Sequence, residues 1–530
     1  MSEYVIPTLA DLKPVDVKAL GGGLAGAERT SREMALWNPD PRPVDAIISQ
    51  DKELLDARGR DVTRNDSYVQ GARGLTQDSI VGGQYVLNSR PESSLLGAPD
   101  GWEEEFQQVV ETRFNLIGDS EFAWFDAART RTFTELVRLA VGSFASVGEA
   151  LAVSEWIDRA NRPFKTAISI INPDRLSNPN DGMDTENIRR GKVVGPYGEP
   201  IAYWFRNKHR FDPIPSADVY TWKRVEAYLP WGRPQVCHIY DSTNEPEQTR
   251  GIAAMVACLK DMRMAKRYTE IELQNAIVNA MYAAVIESEL PPDAAFAQLG
   301  SEQVNPALAG FMTALQAYVG EAKGITLDGA RIPHLFPGTK LHMMPAGQIG
   351  DTKFEQRLHR RIAAGLGVSY EEYCGDFSQT NYSSFRGASN VTWKRMTSKK
   401  KMVADRLANF IYGNWLEEQI SRGDVPLWAG ADRSLFYKPM MREAFCAAEW
   451  IGAARGQIDE GKETDAAIAR LSANLSTLED ENARLGKDWR KVLKQRARER
   501  RVATDLGLSD PYAAPVVAKP GPKPDTVPPQ

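Results

Sequence analysis

Four cysteines in 530 residues, at 237, 258, 374 and 446, are too few and too scattered for a disulfide framework, and they suit a reducing compartment. No apolar run approaches the roughly 20 residues needed to span a bilayer, and the first residues lack a signal-peptide core, so no membrane partner is expected. There is no excess of positive charge. The formal net charge of -5 argues against a conventional DNA-binding protein, which is usually basic. Catalytic motifs are absent too. No Gly-x4-Gly-Lys-Ser/Thr loop exists for nucleotide phosphates, and the glycines at 21 to 26 lack the lysine such a loop requires. No His-Glu-x-x-His pair offers a zinc site. Cys237 and His238 are adjacent on an expected strand and so point to opposite faces, while His209, His334, His342 and His359 stand alone. The Glu371-Glu372 pair has no neighbour that marks it as an acid–base couple. These absences predict a chain with no cofactor, no metal and no enzymatic activity.

What is present reads as a soluble, folded chain of several domains, with 42% hydrophobic and 25% charged residues. Phe133, Leu136, Val137, Ala140, Val141 and Phe144 recur at helical spacing. Residues 164–171, 193–205 and 219–239 then turn β-branched and aromatic, with turn signals at Gly195-Pro-Tyr-Gly198 and Trp231-Gly-Arg-Pro234. This part predicts α+β structure with antiparallel strands.

From 252 to 288 there is neither glycine nor proline. A single helix of that length would extend about 55 Å at about 1.5 Å per residue. Met255, Val256, Leu259, Met262, Ile271, Ile277, Val278, Met281 and Val285 give it a broad apolar surface that needs neighbours on several sides. A core helix of a large enzyme would show the same pattern.

Asp376, Ser378, Thr380, Asn381, Tyr382, Ser383 and Ser384 form a polar stretch between two helical patterns and predict a loop that ends in a helix cap. Phe377, Tyr382 and Phe385 anchor it. A basic band follows, with Arg386, Lys394, Arg395, Lys399, Lys400, Lys401 and Arg406 opposed only by Asp405. Such a band attracts phosphate regardless of sequence, and a solvated or salt-bridged face has the same composition. A second basic run covers 487–501, preceded by Ile468, Leu471, Leu475, Leu478 and Leu485 at 3–4 spacing. Past 510 the chain is proline-rich and reads as a disordered tail.

The order of these segments resembles the lambda-type portal protein family of tailed bacteriophages. The similarity is carried by the Gly375–Arg386 stretch after Ile362-Ala-Ala-Gly-Leu-Gly-Val-Ser-Tyr-Glu371, by Arg64-Asn65 with Val81-Gly-Gly83, and by Gly148-Glu149. Further along it rests on Asn172-Pro-Asp-Arg-Leu176, Gly198–Trp204, Cys237-His-Ile239 with Gln248-Thr-Arg-Gly251, Ile458–Glu463 and Leu485-Gly-Lys-Asp-Trp489. It covers roughly residues 60 to 505; Glu460-Gly461 departs from it by lacking a proline beside the aspartate.

The resemblance implies a portal fold. Its parts would be a flexible arm (1–30), a β-rich wing (31–250), a first stem helix (251–288), a clip (289–350) and a second stem helix (351–366). A tunnel-loop region (367–385), a long channel-side helix (386–430), a helical crown (431–505) and a tail (506–530) would follow. It further implies a ring, usually a dodecamer, at one capsid vertex, with stem contacts between subunits at Met262, Ile271 and Ile277. The channel would pass double-stranded DNA for packaging and ejection, along the loop and the basic band. Partners would be the terminase large subunit, the major capsid and scaffolding proteins, and a head-completion or adaptor protein. The location would be the virion, with assembly in the host cytoplasm. Two alternatives fit the residues: a cytoplasmic enzyme with an unrecognised site, or another virion structural protein.

Overall fold

The computed structural model describes residues 36–281, 326–327, 330–331, 352–456 and 459–513. The expected arm lies outside them, as does the clip apart from a two-strand ladder of Thr326–Leu327 with Ala330–Arg331. His334 and His342, and Val285 of the first stem helix, also fall outside. The fold is mixed helix and strand, as the change of period predicts. Among the described residues no helix is long and apolar enough to cross a membrane.

The chain divides into two compact units, and not at residue 250 as the sequence suggests. Among the described residues the smaller holds 36–52, Asp174–Val225 and Ser242–Gly251, with a four-stranded sheet in strand order Ile188–Arg189, Lys192–Val194, Pro200–Arg206, Trp222–Glu226. Its buried cations serve as struts. Arg250 donates to the carbonyls of Leu176 and Arg190 at 3.0 and 2.9 Å, and Arg206 stacks 4.6 Å over Trp222. Asp45 accepts from the Thr249 amide and hydroxyl at 2.9 and 2.8 Å, so the Gln248–Gly251 motif is a structural clasp.

The larger unit has one continuous apolar core. It joins the helices Ser67–Ile80, Trp102–Gly118 and Phe133–Val147 to a three-stranded antiparallel sheet with Glu149–Trp156 at its centre, between Thr166–Ile171 and Val236–Tyr240. The sheet is covered on the inside by Arg406–Arg422, whose residues Leu407 to Ile420 are almost all buried. Because these elements share a core, the helices expected in a separate wing belong with Leu259–Met281, Thr352–Leu366 and Arg406–Arg422, the segments expected as stem and channel-side helix. Residues 433–451, expected in the crown, also join this core through Phe436, Phe445 and Trp450, and Ala448–Ile451 pairs with Val86–Ser89.

A glycine fixes the junction between helix and sheet. Gly148 ends the Phe133–Val147 helix at φ +80, and a Cβ there would lie 2.2 Å from the Ile252 carbonyl carbon. Both the left-handed backbone and the close approach require glycine.

The first stem helix differs from expectation at its start. Residues 254–258 form a tight 3₁₀ turn, and the α-helix runs Leu259–Met281. Thr352–Leu366 packs beside it, close to the expected 351–366, with Arg361 pairing Asp261 at 3.1 Å and Tyr268 meeting Phe354 at 5.2 Å between centroids.

Candidate nucleic-acid interface

The loop is built from its own side chains. Gly375 closes the short Tyr370–Cys374 helix in the left-handed region, and that helix is opened by a reciprocal Ser369–Glu372 cap. Asp376 then accepts from the Ser378 hydroxyl and amide at 2.7 and 3.0 Å, which holds its carboxyl below the usual range. Thr380 donates to the Phe377 carbonyl at 2.9 Å, and Phe377 meets Phe385 edge-on at 5.2 Å. Asn381 caps the next helix, accepting from the Ser384 amide at 2.8 Å. The helix therefore begins at Tyr382, not Arg386, because Asn381 and Ser384 satisfy each other's orphan groups. Tyr382 and Ser383 belong to its first turn, and the loop proper is 375–381.

That helix continues to Arg422, where Gly423 ends it, short of the expected 430. Its middle is not regular. Tyr382–Lys399 passes into a π-helical stretch, Lys400–Asp405, before α-helix resumes at Arg406. Insertions of this kind interrupt the hydrogen-bond ladder and need local compensation. Here it comes from a buried network. Lys400 donates to Asp405 at 3.0 Å and to the Trp450 carbonyl at 2.8 Å, and its ammonium lies 5.4 Å from the Tyr85 ring centre. Tyr85 donates its hydroxyl to Asp405. Burial, then the Asp405 charge, push the Tyr85 phenol well above its ordinary range.

This geometry sorts the basic band. Lys399 donates to the Leu366 carbonyl at 3.3 Å, and burial with the nearby Arg395 lowers its pKa. Lys399 and Lys400 thus hold the subunit's own fold together, contrary to the expectation that they face DNA. Lys394, Arg395 and Lys401 are exposed, while Arg386 is half-buried. Lys401 reaches Asp405 at 3.7 Å yet keeps 78% of its side chain in solvent. With about 100° per residue, Lys394 and Lys401 share one face of the helix with Gly387, Val391 and Ser398.

The stem residues divide in the same way. Met262 is 2% exposed within the subunit's own core, beneath the Thr352–Leu366 helix, so it is not an intersubunit contact. Ile271 and Ile277 are 41% and 46% exposed, with Met264 exposed on the Ile271 side of the helix and Leu273 on the Ile277 side.

Burial pushes the thiols of Cys237 and Cys446 up to about 12 and those of Cys258 and Cys374 up to about 11, so all four stay protonated near neutrality. His209 bonds Asp174 at 3.1 Å, and His359 packs against Tyr68 at 4.7 Å. Among the described residues no group of three or more His, Cys, Asp or Glu is placed to hold a metal. A cavity of about 910 Å³ beside Trp156 and Trp231 contains Arg233, Glu417 and Glu418. The carboxylates of Glu417 and Glu418 are spent internally: Glu418 accepts from the Lys165 and Thr166 amides at 2.7 and 2.8 Å, and Glu417 from Arg442 at 2.6 Å. The sequence signal for that structural role is a Glu doublet inside an otherwise apolar helical run.

Residues 30–399 match the family described as phage portal protein, lambda family. The chain belongs to that family. It is 35% identical over 496 residues to the portal protein of Escherichia phage N15, covering 93% of this chain and 91% of that one. Portal protein B of Escherichia phage lambda is 33% identical over 519 residues, covering 96% and 95%. A probable portal protein of Halomonas phage phiHAP-1 is 22% identical over 486 residues, covering 88% and 84%. Among solved structures, a chain from the neck of an empty gene transfer agent particle aligns with a TM-score of 0.41 and 13% identity, covering 87% of this chain and 99% of that chain. Another, from the virion of a native gene transfer agent particle, gives 0.32 and 14%, covering 78% and 98%. The protein is thus a phage portal subunit and a component of the phage particle.

Proposed function

We propose that copies of this subunit close into a ring, a dodecamer, and that the loop 375–381 and the exposed face of Tyr382–Lys399 line its channel. The observation that carries this reading is the exposed apolar surface of Leu259–Met281. Met264, Ile271, Leu273 and Ile277 stand in solvent on a single subunit, although the same helix buries Met262 and Ala265 in its own core. At about 100° per residue Met264 and Ile271 lie opposite Met262, while Leu273 and Ile277 continue the Met262 side beyond its covered part. Apolar side chains thus stand bare on both sides of the helix; these need neighbours, and adjacent copies supply them. Double-stranded DNA would pass the loop, whose side chains are mostly small or uncharged and whose one charge, Asp376, is negative, so that it offers no cationic brake. It would meet Lys394, Arg395 and Lys401 without sequence preference.

On this reading the subunit is not an enzyme. It carries no recognisable nucleotide motif, so packaging work comes from the terminase large subunit docked on the ring. The major capsid and scaffolding proteins and a head-completion protein are the other partners, met in the host cytoplasm during assembly. Native mass measurement tests the assembly: wild type should give a closed particle near twelve copies of a 58.9 kDa chain. Ile271→Asp should give folded, ring-deficient protein. Normal rings from that variant would remove Ile271 from the interface.

A further inference from the structure

The Trp489–Asp505 helix carries seven Lys or Arg residues against two acids, in a chain whose net charge is -5. The structure divides those cations into two sets. Arg490 is used by the fold: it pairs Glu111 at 3.5 Å and bonds Gln107, tying this helix to Trp102–Gly118. Lys491 lies near Asp119, where burial raises the carboxyl and the Lys491 charge opposes that rise. Arg496 stacks 4.2 Å over Tyr512, and Arg500 pairs Asp510 at 3.2 Å, where the chain folds back after the helix. Tyr512 also donates to Glu499, so one of the two acids is consumed on that same side.

Lys494, Arg498 and Arg501 are the remainder. All three are exposed, and none makes an ion pair or side-chain hydrogen bond among the described residues. Their spacing of four and three residues puts them within about 60° of arc, over about 10 Å of helix. Asp505, one turn beyond, is the acid that ends the row. A merely solvated helix face mixes both signs, because like charges at this spacing repel. A row of three cations, unpaired among the described residues and met by a single acid only at its C-terminal end, on a helix tied to the subunit by Arg490 fits an extended polyanion instead. Duplex DNA carries about one phosphate charge per 1.7 Å of axis, or about six along the length of this row.

We propose that Lys494, Arg498 and Arg501 form a second phosphate-binding surface of the subunit, which holds duplex DNA without reading its sequence. It stands on different residues from the channel-side face and does not depend on the channel reading. Arg490 ties the helix to Trp102–Gly118 and Tyr512 folds back to brace its C-terminal half, so the row is presented already ordered and little conformational entropy is lost on binding.

The test uses the full chain and a 30-bp duplex, with affinity measured by fluorescence anisotropy from 50 to 200 mM salt. The variant Lys494→Gln/Arg498→Gln/Arg501→Gln should weaken binding about tenfold near 100 mM salt. It should also reduce the slope of log affinity against log salt by about 2.7, at about 0.9 for each phosphate that the variant leaves unneutralised. Lys494→Arg/Arg498→Lys/Arg501→Lys keeps the charge and should bind like wild type, which separates charge loss from misfolding. Two duplexes of unrelated sequence should bind equally. Unchanged affinity and slope in the neutral variant would overturn the proposal. So would a variant that loses polyglutamate but keeps the duplex, which would assign the row to an acidic protein.

Discussion

Asp405 shows how far a single side chain's role depends on distant parts of the chain. In the sequence it is legible only as the lone acid in a basic band. In the structure it is buried at 6% exposure and receives Lys400 together with Tyr85, which lies 320 positions away in sequence. No local pattern announces a partner at that separation, so the band reads as uniformly available. Asp405→Asn should cost about 1.5–3 kcal/mol in denaturant unfolding, because it leaves the partly buried Lys400 ammonium without its counter-charge. A cost below about 1 kcal/mol would mean that the network is solvated. Glu111 gives a pH signature. Burial raises its carboxyl from 4.5 to about 7, although Arg490 and the Ser89 amide act in the opposite sense. The folded state therefore holds a proton that the unfolded state has released. Stability should fall as pH rises from about 4.5 to about 7, by up to about 3 kcal/mol, and stay lowered above that. Glu111→Gln should flatten this slope in unfolding measured from pH 4 to 8; an unchanged slope would place its origin elsewhere.

At the level of elements, the sequence shows where helices begin better than what they touch. The Asx and Ser-rich segment before the long helix is readable as a cap because capping chemistry is local, yet several residues compete for the cap position and only packing selects Asn381. The π-helical turn at Lys400–Asp405 leaves no trace in the pattern, since the apolar period continues through Val403 and Leu407. Likewise, periodicity marks Met262 and Ile271 alike as apolar, and only the fold shows that one is covered by Thr352–Leu366 and the other is bare. The two should therefore respond differently to the same change. Met262→Asp should destabilise the isolated subunit by about 3–5 kcal/mol and yield little soluble protein. Ile271→Asp should leave the unfolding midpoint of the subunit nearly unchanged. Equal midpoints for both variants would contradict the division of this helix into an inner and an outer face.

For the molecule as a whole, family membership is legible because the order of several weak motifs survives in the chain, even where single boundaries move. The grouping into units is not, because the shared core joins helices 67–147 to residues 352–451 across long stretches of sequence. The tail offers a smaller instance: its expected start is 506, but Asp510 and Tyr512 still belong to the packing of the last helix. Neutralising Lys394, Arg395 and Lys401 together should leave rings intact and alter DNA packaging or retention, read as the genome mass held per particle. The same change at Lys399 and Lys400 should lower subunit stability first. The account stands most directly on where residues 375–401 lie in the assembled particle, which a cryo-EM map of the purified protein would show. It predicts a closed ring with the 375–381 loop at the narrowest part of the channel and Lys394 and Lys401 facing the axis. A ring that carries this segment on its outer wall, or a protein that remains monomeric, would contradict it.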